Sequence, residues 1–531
     1  MRRIVPVGSL VALGVFLAVP STAQTVSPEP AAVSGSQGAF SLVLNEGKRL
    51  AGMGRHYDAI LLFNRVLSEG DESAPYFQEA QYEMGASLFA LRFYVSARIY
   101  FERVAEAGPQ HVRYKEALPY LVRIHREIPG ETDGLFRLSS YSPDLYPLDL
   151  AEEASFYVGQ WHYYEGNLDA ALESLSRVGA SRPDLFVRAT YLRGVVHVRR
   201  NEARQAAEAF QEVLRFLETA GSFEGKNRYR EMALIGMARV FYSDGQNNPK
   251  QYQTAIRYYE QIPEDSEQWL DSLFERSWAY YMIGDHARAL GNLLTVSSPY
   301  FEEEYYPEAL VLRAMIFFKN CRYEEALATI DPFYKEYFEI HKELEQVLAR
   351  YTVPVDFYQY LASLSVGRGP TFSLKMKKIF NAALADAKLR RLFGYVVTIG
   401  REIAQVEALR SNPVAKPLVQ ILLPELLNSR SLAMSESGQL AQERLGRVRK
   451  ELKSLLSQGL KVRFESLNAQ KGLLRESVRR QQVTGTASAG VRTDGKKDPL
   501  LIQWPWDGEY WKDELGSYRY PLQSSCGGGN P

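Results

Sequence analysis

Along the first two thirds of the chain, one pattern of positions keeps returning. A small residue is followed twelve positions on by Ala, four later by a large apolar residue and three later by an aliphatic one. The set reads Gly47, Ala59, Phe63, Val66, and then Gly85, Ala97, Phe101, Val104. It returns as Gly159, Ala171, Leu175, Val178 and as Gly194, Ala206, Phe210, Val213. Ser277, Ala289, Leu293, Val296 and Ala314, Ala326, Ile330, Phe333 keep the register with more degenerate residues. Gly236 with Ala255, Tyr259 and Ile262 fits once seven extra residues around Gly245–Pro249 are allowed. Steps of three and four belong to helices, and turn residues separate them at Gly54-Arg55-His56, Glu165-Gly166-Asn167 and Gly284-Asp285-His286. The pattern predicts stacked helical hairpins. Small residues let paired helices approach, and the large residue fills the space between hairpins.

The spacing is irregular. Ala59 and Ala97 are 38 residues apart and Ala97 and Ala171 are 74 apart, so a lost repeat or an insert lies between the second and third copies. Residues Gln110–Ile128 read as an extra helix there, followed by a Tyr- and Pro-bearing loop to Pro147. An irregular superhelix is the expectation.

The seven copies resemble the tetratricopeptide repeat (TPR), whose pattern carries these small and bulky positions. That resemblance covers residues 39–350 and implies an all-α solenoid, a superhelix of helical hairpins. It also implies a concave groove lined by the first helix of each hairpin and suited to an extended peptide or a partner helix. In this chain the groove positions fall on Glu153, Phe156, Gln160, Tyr163 and the adjacent Tyr164. They continue with Arg188, Tyr191, Val195, Val198 and Arg199, with Phe274, Trp278 and Tyr281, and with Met315, Phe318 and Lys319. The same aromatics also suit the core between repeats. The carboxylate clamp of chaperone-binding TPR proteins is not evident.

From residue 351 the character changes. Residues 351–483 read as a helical, basic, coiled-coil-like region, with helices at Leu374–Asn381, Leu389–Leu409 and Pro413–Leu427. Leu440–Val478 is a long amphipathic stretch carrying an apolar stripe from Leu445 to Val478, interrupted by Gly446, Gly459 and Gly472. Residues 371–480 hold 21 Lys and Arg against 9 Asp and Glu, while the array before them is acidic. The zero net charge of the whole chain is therefore a cancellation, and the basic face is expected to pack on the acidic array, the alternative being a surface for an acidic partner or anionic lipid head groups. Residues 484–498 are a flexible linker. Residues 499–531 form a tail in which Trp504, Trp506 and Trp511, half of the 6 tryptophans, lie together with Tyr510. Such a cluster is buried somewhere. It either folds back on the array or docks another protein, with Trp504, Trp506, Tyr510 and Trp511 as the anchors.

The N-terminus has Arg2 and Arg3, an apolar run from Ile4 to Val19, and Ser21-Thr22-Ala23. Residues 1–23 read as a signal peptide cut after Ala23, since about 16 apolar residues fall short of the roughly 20 that span a bilayer. Residues 24–38 read as a flexible linker. The expected location is the periplasm, without stable membrane insertion after cleavage. Net charge of zero argues against a nucleic-acid partner. The 7 His are scattered, and the 2 Cys exclude a disulfide framework or a thiolate zinc site. Sequence leaves a bond between Cys321 and Cys526 unconstrained, and two free thiols are the expectation. The Gly221–Asn227 loop is one residue short of a phosphate loop and follows no strand. No catalytic motif, metal set or cofactor site emerges, and the chain is expected not to be an enzyme.

With its terminal Trp-Pro-Trp-Asp-Gly-Glu-Tyr-Trp segment the chain also resembles TPR proteins of the myxobacterial adventurous gliding-motility apparatus. The expected function is a periplasmic scaffold that binds envelope proteins or peptides through its groove and tail, related to motility. The alternatives are an accessory or enzyme of peptidoglycan or envelope biogenesis, and an outer-membrane assembly factor.

Overall fold

Local helix signals alone would leave these segments marginal in water, so packing between hairpins has to hold them. The computed structural model describes residues 33–128, 133–365, 374–480, 492–493 and 508–526. The array opens with α1 (Val33–Gly52) and α2 (His56–Glu69), then α3 (Pro75–Ala90) and α4 (Tyr94–Ala107). Next come α5 (Tyr114–Glu127) and a short partner, α6 (Asp133–Ser139). The following hairpins are α7 (Ala151–Glu165) with α8 (Leu168–Ser176), and α9 (Pro183–Arg199) with α10 (Ala203–Thr219). Then follow α11 (Lys226–Asp244) with α12 (Lys250–Tyr259), and α13 (Trp269–Met282) with α14 (His286–Val296). The last hairpin is α15 (Pro307–Lys319) with α16 (Tyr323–Arg350). The fold is the all-α solenoid the pattern predicts. Residues 97–171 contain a repeat whose second helix has shrunk to the seven residues of α6.

The spacing argument is visible in the core. Ala59, Ala97, Ala171, Ala206, Ala255, Ala289 and Ala326 are all 0% exposed. A Cβ on Gly194 would stand 2.5 Å from the Phe210 ring, so no side chain larger than hydrogen fits there. A Cβ on Gly236 would meet that same Phe210 ring at 3.0 Å. Hairpin turns use a left-handed residue, filled by Gly54, Gly166 and Gly284 and elsewhere by Arg92, Asn201 and Cys321. A residue with a Cβ in that region costs about 1–2 kcal/mol, so Cys321 holds its place against backbone preference.

Beyond the array lie α17 (Pro354–Ser365), α18 (Leu374–Leu384), α19 (Ala387–Ala408) and α20 (Lys416–Arg480). Two expectations change here. First, the helices read at Pro413–Leu427 and Leu440–Val478 are one helix of 65 residues, about 97 Å long at 1.5 Å per residue. Pro424 sits inside it, and its glycines do not break it. Gly438 is a contact point: a Cβ there would collide with the Pro354 carbonyl oxygen, so only Gly admits α17. Second, α1 begins at Val33, inside the stretch read as a linker.

α20 ties the two ends of the array together. Leu418, Leu422 and Leu426 join the core of the first hairpins, while Leu445, Leu452 and Leu456 join that of Ile330 and Phe333 on α16. Ion pairs flank both ends, Arg103 to Glu425 at 2.5 Å and Arg463 to Asp331 at 2.6 Å. α19 adds a buried carboxylate. Glu402 accepts from the Val95 and Ser96 amides at 2.9 and 2.8 Å and from the Ser96 hydroxyl at 2.7 Å, closing the N-terminus of α4. Arg449 and Arg463 do meet acidic residues of the array, Glu345 and Asp331. Among the described residues no helix is long and apolar enough to cross a membrane.

Candidate protein-binding groove

The first helices of the hairpins carry the predicted groove residues, and the structure places them in two different settings. On α7, Glu153 is 3% exposed and serves the interior. Its carboxylate accepts from Arg126 at 3.0 and 2.6 Å, from the Tyr157 hydroxyl at 2.8 Å and from Arg182 at 3.1 Å. Burial would raise its pKa, yet these donors hold it down to about 2. Glu153 is therefore not free for a ligand. Phe156 is buried beneath the Arg188 guanidinium, 4.5 Å from the ring centre. Arg199 covers Tyr163, at 5.5 Å from its ring, and donates to its carbonyl oxygen at 2.9 Å. Tyr191 packs edge-on to Tyr229 and tilted against Phe210.

The chain's own α19 occupies the remaining α7 positions. Arg391 donates to the Tyr164 hydroxyl and reaches the Gln160 amide oxygen at 3.5 Å. Lys388 stands 5.3 Å from the Tyr164 ring centre. Beneath this contact His125 is buried against the Tyr157 ring, 4.4 Å between centres. Burial, with Arg391 adding repulsion, pushes its pKa down to about 3.

The second setting is open. α11, α13 and α15, with Tyr259 at the end of α12, line a pocket of about 440 Å³ whose walls are Arg239, Tyr242, Tyr259, Phe274, Glu275, Trp278 and Glu308. Phe274 and Trp278 are among the predicted positions, and the other five are not. Arg239 donates to both oxygens of Glu275, at 3.0 and 2.9 Å from Nε and 2.6 Å from Nη2, and the Tyr259 hydroxyl adds a bond of 2.9 Å. Burial lowers the Arg239 pKa, but Glu275 outweighs it and the guanidinium is held above its ordinary value. Asp271 is satisfied by the Tyr306 hydroxyl at 2.7 Å, and Tyr306 packs on Phe274. Glu308 differs: burial raises its pKa, Glu451 of α20 raises it further, and the Trp278 indole N–H acts the other way.

Next to the pocket, Trp278 packs edge-on to Tyr281, and Lys319 lies 5.0 Å from the Tyr281 ring centre. Phe318 packs on Tyr323, and Met315 joins the core shared with α20. The missed residues had a readable signal. Arg239 and Glu275 are 36 residues apart, as are Arg199 and Tyr163. Asp271 and Tyr306 are 35 apart. One repeat length separates partners on consecutive first helices.

The tail folds back on the same repeats. Leu515 and Tyr518 are 6% and 3% exposed and join the core of Trp269, Leu290 and Leu294. The Gly516 amide donates to Thr295 Oγ1 at 2.8 Å, Tyr520 to the Ala287 carbonyl at 3.1 Å, and Ser525 to the Asn320 carbonyl at 3.0 Å. A Cβ on Gly291 would collide with the Tyr518 carbonyl oxygen, so this close approach needs glycine on α14. Residues Tyr518–Arg519 (β2) pair antiparallel with Arg492–Thr493 (β1). Of the tail anchors, Tyr510 is half-buried and Trp511 is exposed, while Trp504 and Trp506 lie outside the described residues. Residues 1–32, with the expected signal peptide, lie outside them too, as does most of the 484–498 linker.

The expectation of two free thiols is overturned: Cys321 and Cys526 form a disulfide across 205 residues of sequence. Sequence could not anticipate it because the tail's seat on α14 and α15 brings the two together. The phosphate-loop look-alike lies between α10 and α11, and its Lys226 ammonium donates back to the Ala220 carbonyl at 2.6 Å.

Residues 159–220, from the middle of α7 to the end of α10, match the tetratricopeptide repeat family. Similar solved structures include a tetratricopeptide repeat protein from Parabacteroides merdae, 18% identical over 48% of this chain and 91% of its own, with a TM-score of 0.31. Another is a thermophilic TPR protein of Thermus thermophilus, 19% identical over 46% of this chain and 99% of its own, at 0.19. A third is PilF of Pseudomonas aeruginosa, 16% identical over 51% and 97%, at 0.23. No curated protein matches the chain.

Proposed function

We propose that this chain, a tetratricopeptide-repeat protein, is a non-catalytic scaffold that holds other proteins or peptides on the open face of α11, α13 and α15 and assembles a complex in the cell envelope. The observation that carries the reading is the pocket walled by Tyr242, Phe274 and Trp278. Aromatic walls with a few fixed polar groups are the usual makeup of a site for an inserted side chain. Export to the periplasm is supported by the Arg2–Ala23 segment. It is supported independently by the Cys321–Cys526 bond, since such bonds persist in oxidising compartments. The likeness of the tail to gliding-motility proteins makes a motility complex the first assembly to examine.

A photo-crosslinking residue at Trp278 in living cells, followed by mass spectrometry, tests the reading. A specific envelope protein captured there, and not from a crosslinker at Tyr164, is the expected result. No reproducible species from Trp278 would reject the scaffold. Mature protein starting at Gln24 in the osmotic-shock fraction is expected, and intact Met1 protein in the cytoplasm would reject export.

A further inference from the structure

We propose that the pocket between α11, α13 and α15 is a receptor for one basic side chain, a Lys or Arg projecting from an extended partner segment. The proposal rests on the scaffold reading and adds the chemistry of what is recognised.

The walls come first. Tyr242, Phe274 and Trp278 present ring surfaces to one space, which Tyr306 backs through its contact with Phe274. Ring faces attract a cation brought over them, most strongly the indole, and more so where water is excluded. A neutral apolar side chain would also fit such walls, so the polar groups decide between the two. Arg239 is already matched by Glu275 through both oxygens, with Tyr259 completing the set, and Asp271 is met by Tyr306. Glu308 is the carboxylate left over. It lines the space half-buried, and among the described residues no Lys, Arg or His forms a hydrogen bond or ion pair with it.

A carboxylate held in a half-buried aromatic space without a basic partner is costly, and a cation brought beside it relieves that cost. An acidic ligand would be repelled by Glu308, and a neutral one would leave that carboxylate without a basic partner. The volume of about 440 Å³ accommodates a long side chain with its stem on the aromatic walls and its head at Glu308.

The test uses the full-length oxidised protein and blocked pentapeptides Ala-Ala-Xaa-Ala-Ala, with Xaa as Lys, Arg, norleucine or Glu, titrated by calorimetry. Lys and Arg peptides are expected to bind about tenfold more tightly than norleucine. Glu308→Gln, nearly isosteric, is expected to erase that preference while keeping norleucine binding and the thermal midpoint. Trp278→Ala is expected to weaken every peptide. Equal affinity for Lys and norleucine, an unchanged preference in Glu308→Gln, or no saturable binding of any peptide would each overturn the cation site. Crosslinking separates this failure from that of the scaffold. A partner captured at Trp278 through a segment with no basic residue leaves the scaffold standing and removes the cation.

Discussion

α7 and α13 offer the same kind of surface, the first helix of a hairpin with aromatics one turn apart, yet only one of them is open. Tyr164 and Gln160 on α7 are held by Arg391 of α19. Phe274 and Trp278 on α13 face the pocket with α11 and α15. Repeat identity does not explain the difference, since Gly159, Ala171 and Ser277, Ala289 occupy matching positions. The explanation is what the rest of the chain packs against. α19 and the N-terminal half of α20 join the core of the first hairpins, while the C-terminal half of α20 lies along α15 and α16. A repeat array becomes a binding surface only where its own chain leaves it uncovered.

The largest effect should come from Glu402, which seats α19 on α4 by accepting three hydrogen bonds. Glu402→Ala leaves buried donors unmatched and removes packed volume, for an expected loss of about 3–4 kcal/mol. Urea unfolding measures it. A first transition that separates α19 from the array while the peptide pocket persists would sharpen the contrast. Simultaneous loss of the two would show that the closed and open faces are one cooperative unit.

The Cys321–Cys526 bond should rank next. It closes a long loop, so Cys526→Ser is expected to cost about 2–3 kcal/mol. Gly291→Leu should cost a similar amount by driving the tail's backbone off α14. Because the tail lies along the second helix of its hairpin, neither change should alter peptide affinity at Glu308. A tenfold weakening in either variant would mean that the tail shapes the pocket.

Acid should strain the closed face first. An unfolded His titrates near about 6.5, whereas His125 is pushed down to about 3 in the fold. Its contribution to stability is thus complete above about pH 6.5 and drains as pH falls towards 3. The Glu153 contribution follows lower down, lost between its unfolded value of 4.5 and about 2. Replacing the imidazole by His125→Phe should remove about 1–2 kcal/mol of the loss seen at pH 5. Thermal melts from pH 7 to 4 will show this, and an unchanged slope would place the acid sensitivity elsewhere.

What sequence could show follows from the range of the interactions. Ala59 through Ala326 could be read because each packs on a neighbour within one hairpin. The Arg239–Glu275 pair was readable in principle at one repeat length, but the extra residues around Gly245–Pro249 hid the register of α11. The closure of Tyr164 was not readable, because Arg391 comes from 227 residues away. Continuity of α20 failed for a related reason. Ser429, Ser431, Ser435, Ser437 and Gly438 argue locally for a break between Leu427 and Leu440, and only α16, α17 and α19 packed along its length overrule them. Cys321 gave a faint sign in sequence, standing in a turn position that most other hairpins fill with Gly or Asn and one with Arg92.

The smallest change bears most directly on the comparison. Arg391→Ala removes the hydrogen bonds to Tyr164 and Gln160 but leaves Glu402 in place. The pair is partly exposed, so the loss should be about 0.5–1 kcal/mol. It should also relieve the repulsion on His125 and raise its pKa towards the unfolded value. The gap between the two states then narrows, so stability should fall less steeply with acid in this variant than in the parent chain. If α19 alone closes α7, a crosslinker at Tyr164 should begin to capture partners in this variant. If Tyr164 stays silent while Trp278 still captures, then the two faces differ in their own chemistry: Glu308 lines the space beside the α13 aromatics, whereas Glu153 of α7 is already paired with Arg126 and Arg182.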